Sequence, residues 1–160
     1  MKKNINSAIK ALNKGNLVIF PTETVYGLGG DATNPEAVIK IYGLKKRPVN
    51  NPLICHFSSI LKVKDNFKFN SLEKKIASKF WPGPITIILR KKKKSKISKI
   101  LSNNLDLVGC RIPNNLIALE LLKNLKFPLA APSVNFSNIN EYFREVSWDE
   151  ALNFAAKGLL

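Results

Sequence analysis

The apolar positions of the chain change period as they advance. Ile5, Ile9 and Leu12 recur three and four residues apart, the spacing of one helix face, and Gly15 ends that segment. Residues 17–20 (LVIF) form a short uninterrupted apolar run that stops at Pro21, the pattern of a buried strand leading into a loop. Asn34-Pro35-Glu36 predicts a helix start. Asn caps, Pro fits the first turn, and Glu suits the positive end, with Ala37, Val38, Ile41 and Tyr42 on the inner face.

Farther along, residues 45–52 read as a basic, proline-containing loop and 53–57 as a strand. Residues 71–81 read as an amphipathic helix closed by the turn Pro82-Gly83-Pro84. Residues 85–89 predict another strand, with the lysine-rich run 90–99 as the loop after it. Residues 107–112 predict a strand ended by Pro113, Asn114 or Asn115 caps a helix to about residue 125, and 129–131 form a short strand before Pro132. Strands alternating with helices predict an α/β layered domain.

Composition narrows the classes. The chain has 160 residues, 45% hydrophobic and 23% charged, the balance of a globular domain able to bury a core. No apolar run approaches the ~20 residues of a membrane helix. Lys10, Asn13 and Lys14 interrupt the N-terminal pattern, so no signal-peptide core forms and a cytoplasmic, non-membrane protein is expected. Cys55 and Cys110 lie in apolar runs and read as free buried thiols. One histidine and no clustered Cys/His spacing argue against an intrinsic metal cofactor, although magnesium can arrive with a nucleotide. The 26 Lys and Arg against 11 Asp and Glu give a net charge of +15, which attracts anions such as nucleotides or RNA. Much of the excess sits in the run 90–99, which reads as a solvated surface with few aromatics for base stacking.

Three groups of residues carry candidate chemistry. Pro21-Thr22-Glu23-Thr24-Val25-Tyr26-Gly27-Leu28-Gly29-Gly30 follows a strand end and sets hydroxyls, a carboxylate and a phenol beside glycines that let backbone approach a ligand. It is neither a Walker A loop nor a dinucleotide fingerprint. Lys45-Lys46-Arg47-Pro48-Val49-Asn50-Asn51-Pro52 is a basic loop stiffened by prolines, in which Arg can grip phosphate and Lys adds charge; His56 follows it. Arg111 ends an apolar strand, where a cation needs a partner or ligand, and Ser133 and Asn135 offer small polar contacts after another strand.

Taken in order, PTETVYGLGG, KKRPVNNPLICHF, FWPGPITIIL, VGCRIP and PLAAPSVN resemble the YrdC-type family of threonylcarbamoyl-adenylate synthases over roughly residues 5–137. The resemblance implies an open, twisted mixed sheet with flanking helices, a dsRNA-binding-like domain with a basic cavity. It implies an enzyme that joins L-threonine, bicarbonate and ATP into threonylcarbamoyl-AMP with release of pyrophosphate, and a partner complex that transfers the product to tRNA. It implies that Thr24, His56, Arg111 and Ala131 line the threonine site. Arg47, Asn51, Ser133 and Asn135 would contact ATP, and Lys45 with Arg47 would carry the catalytic charge on the phosphates. Direct tRNA contact through the basic surface is a further expectation.

After Asn135 the likeness stops. The family's Ser-Gly turn, Ser-Pro-Thr helix start and later Glu-Ser-Thr motif have no counterpart in residues 136–160. Residues 1–137 therefore read as the YrdC-like domain and 138–160 as a divergent tail. Ser147-Trp148-Asp149-Glu150 predicts a terminal helix there. The break reads as a truncated or chimeric frame, or as a divergent ending. Two other readings stand beside the enzyme: a catalytically silent RNA-binding module, and an incomplete fragment of such an enzyme with an exposed sheet edge.

Overall fold

A computed structural model describes residues 2–134 and 144–146, with side chains from residue 5 to 134. Five helices are described: α1 (Lys2–Asn13), α2 (Pro35–Leu44), α3 (Ile60–Asn66), α4 (Ser71–Phe80) and α5 (Leu116–Lys123). The strands are β1 (Leu17–Phe20), β2 (Tyr26–Asp31), β3 (Ile54–His56), β4 (Phe67–Lys68), β5 (Ile87–Lys91), β6 (Leu107–Arg111), β7 (Leu129–Ala131), β8 (Ser133–Val134) and β9 (Arg144–Val146).

Among the described residues the strands make one mixed sheet in the order β4-β5-β6-β3-β7-β2-β1-β9, with β8 beside β2. Only β3 and β6 run parallel; the other pairs are antiparallel. Among the described residues the two edges, β4 and β9, are different strands, so the sheet is open, as the family resemblance implies. β9 comes from residues 144–146 and pairs Leu17 with Val146, so the tail beyond residue 137 contributes to the sheet. The helix expected after Ser147 lies outside the described residues.

β1 shows why a four-residue apolar run was needed. Leu17 and Ile19 enter a core shared with α2, the strand after it and Trp81, whereas Val18 and Phe20 enter a second core with α1 and α5. Successive side chains of a strand point to opposite faces, so a strand covered on both sides has no polar positions. The helices start where local chemistry dictates. Asn34 accepts from Glu36 N–H at 2.9 Å and Asn115 from Ile117 N–H at 3.0 Å. Asn70 and Glu73 form a reciprocal capping box at the head of α4.

Two sequence expectations shift. Residues 26–30, expected as part of a glycine loop, belong to the strand β2 (Tyr26–Asp31). A Cβ on Gly29 would stand 2.8 Å from Phe20 Cε1, and one on Gly30 would stand 2.7 Å from Leu17 Cδ2. The glycines make room for side chains of the neighbouring strand, which pattern reading cannot see. The strand expected at 85–89 begins at Ile87 and runs to Lys91, because Trp81 Nε1 donates to the Ile85 carbonyl at 2.7 Å and holds it in the turn. Arg90 and Lys91 thus belong to the strand, not to the lysine loop.

Candidate functional site

The loops that follow β1 and α2 meet the ends of β3, β6 and β7 at a cleft of about 210 Å³. Sheet register explains the grouping. His56 and Arg111 are partners on parallel strands, and Ile54 opposes Ala131 on the antiparallel neighbour. Alternation places Ile54 and His56 on one face and sends Cys55 to the other, into the core.

Arg111 is 9% exposed and cannot stand uncompensated. Its Nη2 lies 3.0 Å from Glu23 Oε1 and donates to Thr24 Oγ1 at 3.1 Å, while Nε donates to the Gly83 carbonyl at 3.3 Å. Glu23 itself is desolvated, yet hydrogen bonds from the Asn114 backbone and Arg111 outweigh that and hold its carboxyl below the ordinary value. Thr22 keeps the loop folded by accepting from the Thr24 and Val25 N–H groups, both at 3.2 Å.

His56 is 5% exposed, and its Nδ1 has no hydrogen-bond partner among the described residues. Burial, then the charge of Arg111, pushes its pKa down to about 4, so the ring is neutral at pH 7. It also borders a second cavity of about 150 Å³ beside Phe57, Lys62 and Phe127.

In the same cleft wall Arg47 donates from Nε to the Asn51 carbonyl at 2.9 Å. Its Nη2 donates to Asn51 Oδ1 at 2.6 Å and to the Pro52 carbonyl at 2.9 Å. The guanidinium therefore braces its own loop while facing the cleft. Lys45, at the C-terminal end of α2, is held below the ordinary lysine value by burial first and by Arg47 second.

Of the residues expected from sequence, Thr24, Arg47, His56, Arg111, Ala131 and Ser133 line this one cleft. Lys45 and Asn51 are not among the residues that line it; Asn51 accepts a hydrogen bond from Arg47, and Lys45 is close enough for the charge of Arg47 to lower its pKa. Asn135 lies outside the described residues. Sequence reasoning missed a role for Glu23, because nothing local signals that its partner is on a distant strand. The thiols of Cys55 and Cys110 are buried with raised pKa values and offer no thiolate. No described helix is long and apolar enough to cross a membrane.

An open mixed sheet with Arg47 and Arg111 in one cleft at its strand ends defines the class, an α/β protein with a candidate ligand cleft. The sequence model of Sua5, YciO and YrdC proteins, described as "telomere recombination", matches residues 10–160, and the chain belongs to that family. It is 41% identical over 134 residues to the threonylcarbamoyl-AMP synthase of Pyrococcus abyssi, a match covering 83% of this chain and 39% of that protein. It is likewise 41% identical to that of Bacillus subtilis, over 83% of this chain and 38% of the relative. The chain thus spans about two fifths of the length of these relatives. P. abyssi Sua5, solved in complex with L-threonine, superposes with a TM-score of 0.79 at 40% identity, covering 84% of this chain and 39% of that one. Escherichia coli YciO shares the fold with a TM-score of 0.77 at 22% identity, over 99% of this chain and 76% of that one.

Proposed function

We propose that this chain is an L-threonylcarbamoyladenylate synthase unit that joins L-threonine, bicarbonate and ATP. The observation that carries the reading is that Arg47, from the loop after α2, and Arg111, at the end of β6, line one cleft together with Thr24, His56 and Ser133. The names of the relatives and the threonine-bound homologue support that choice of substrates.

In this reading Arg111 receives the threonine carboxylate, with Thr24, His56 and Ala131 shaping the site around the amino acid. Arg47, Asn51, Ser133 and Asn135 serve ATP, and Lys45 adds positive field to the phosphates beside Arg47. The threonine amine combines with bicarbonate to give a carbamate and water. A carbamate oxygen then attacks the α-phosphorus, the bond to the bridging oxygen breaks, and pyrophosphate leaves with that electron pair. Such a transfer needs alignment and charge stabilisation, and no protein nucleophile. A neutral His56 adds no charge to the cleft wall, whose cations are Arg47 and the Glu23-paired Arg111.

Magnesium would enter as the counter-ion of ATP. Among the described residues no three or more His, Cys, Asp or Glu cluster where they could hold a metal. The product would pass to a tRNA-modifying transfer complex in the cytoplasm. The exposed Lys93, Lys94 and Lys96 offer a surface for tRNA. Conversion of ATP to pyrophosphate that requires both L-threonine and bicarbonate is the test. ATP turnover indifferent to threonine, or none, overturns the reading.

A further inference from the structure

We propose that Glu23 is a positioning residue for the amino-acid end of the cleft, acting through Arg111. This rests on the reading that the cleft takes an amino acid such as L-threonine. The geometry separates Glu23 from the groups that would touch substrate. Thr22 and Thr24, its neighbours on either side, are in the cleft wall, and Glu23 is not. Its carboxylate turns away to Arg111 Nη2 at 3.0 Å and to the Asn114 backbone, with side chains only 19% and 11% exposed for Glu23 and Arg111.

A guanidinium has five N–H donors. Nε is committed to the Gly83 carbonyl, and Nη2 to Glu23 and Thr24. Nη1 is the nitrogen with no protein partner among the described residues. Glu23, Gly83 and Thr24 hold the planar group by one side, so the remaining N–H groups are the ones available to a ligand carboxylate. Without Glu23 the guanidinium keeps two weaker, neutral contacts and can rotate, and each orientation lost to rotation is affinity lost.

A second consequence concerns charge. Paired with Glu23, Arg111 contributes little net positive field, whereas Arg47 has only neutral partners in its own loop. The two cations of the cleft therefore differ: Arg47, paired with neutral groups, favours the polyanionic nucleotide, and Arg111, already paired with a carboxylate, a singly charged one. The ion pair discriminates between the two ligands without touching either.

Calorimetric titration of L-threonine and, separately, of ATP tests this on wild type, Glu23→Ala, Glu23→Gln, Arg111→Ala and the double variant. Glu23→Ala is expected to weaken threonine on the order of tenfold or more, with ATP affinity changed less than about twofold. Glu23→Gln, which keeps an acceptor for Nη2, falls between. In the Arg111→Ala background, adding Glu23→Ala changes threonine affinity no further, the non-additivity of two residues acting as a unit. Tighter threonine binding by Glu23→Ala would mean that the carboxylate occupies the substrate's place, and would overturn the proposal. So would equal losses for threonine and ATP, or a further loss in the double variant. Wild type that binds no threonine removes the functional reading itself, and this inference with it; wild type that binds, with Glu23 variants unchanged, sinks the inference alone.

Discussion

Phe20 meets His56 edge to face, with ring centroids 5.8 Å apart and planes at 83°. Phe20 is fully buried, and it lies over the glycines of β2: a Cβ on Gly27 would stand 3.0 Å from its Cε1, and one on Gly29 2.8 Å. The path from glycine motif to cleft is therefore mechanical. Small residues on β2 admit the phenyl ring, the ring sets one side of the imidazole, and the imidazole forms cleft wall.

Adding a methyl group at Gly29 should force the Phe20 ring aside in a core with no slack. Gly29→Ala is expected to cost about 1–3 kcal/mol of unfolding free energy, the range for overpacking. Phe20→Ala, which empties the same space, should cost about 3–5 kcal/mol. Chemical denaturation of the two variants measures both. An unchanged midpoint for Gly29→Ala would show that the ring is not confined.

Acid should destabilise the fold through His56. Its pKa is pushed down to about 4 in the folded state, against an ordinary value of 6.5. Between these values the unfolded chain binds the proton and the folded chain does not, so stability falls as pH drops from 6.5 towards 4, by up to about 1.4 kcal/mol per pH unit. Below pH 4 both states are protonated and this contribution to the slope ends. Urea unfolding of wild type and His56→Gln across pH 4–7 isolates it: the variant should show a shallower decline. Parallel curves would refute a buried neutral imidazole.

The helices with polar caps were legible because their signals are local. Asn34 with Pro35 and Asn115 act within three residues of themselves, and the periodic apolar faces of α2 and α5 follow directly. The buried strands β1, β3, β6 and β7 were legible as apolar runs, to within a residue or two of their ends. What stayed hidden depends on partners distant in sequence. The glycines of β2 answer to Phe20 and Leu17, and Glu23 answers to Arg111. The short helix α3 has only Val63 fully buried, too little to mark a periodic face. The site residues were grouped by resemblance to a family. The register that sets His56 beside Arg111 belongs to the fold alone.

In the proposed function Arg47 has two tasks, bracing its loop and facing phosphate, and its substitutions should separate them. Arg47→Ala removes a cation from the cleft together with the three bonds to Asn51 and Pro52. Turnover, followed as threonine- and bicarbonate-dependent pyrophosphate release, is expected to fall at least ~100-fold, the scale of losing one charge-stabilising donor. Asn51→Ala removes only the Oδ1 contact and leaves the charge, so a smaller loss is expected. Near-wild-type release by Arg47→Ala would reject Arg47 as a phosphate-facing group.

Lys62 on α3 satisfies the end of a helix about sixty residues away in sequence. Its ammonium donates to the carbonyls of Leu122 at 3.0 Å, Lys123 at 3.4 Å and Leu125 at 3.0 Å, across the C-terminal end of α5. Those carbonyls have no intrahelical donors, and the end of a helix carries partial negative charge, so a cation there satisfies acceptors and opposes the dipole at once. The site is only partly buried, and screening by water limits the gain. Lys62→Met, which keeps the aliphatic stem, should therefore cost about 1–2 kcal/mol. Lys64→Met is the control, since Lys64 is exposed two residues farther along α3 and should change stability by no more than about 0.5 kcal/mol. Because α5 packs Leu121 and Leu122 against the core containing Phe20, weakening its end should also loosen that core. Amide exchange in residues 116–125 should accelerate in Lys62→Met and not in Lys64→Met. Equal effects of the two variants would show that Lys62 is an ordinary surface charge.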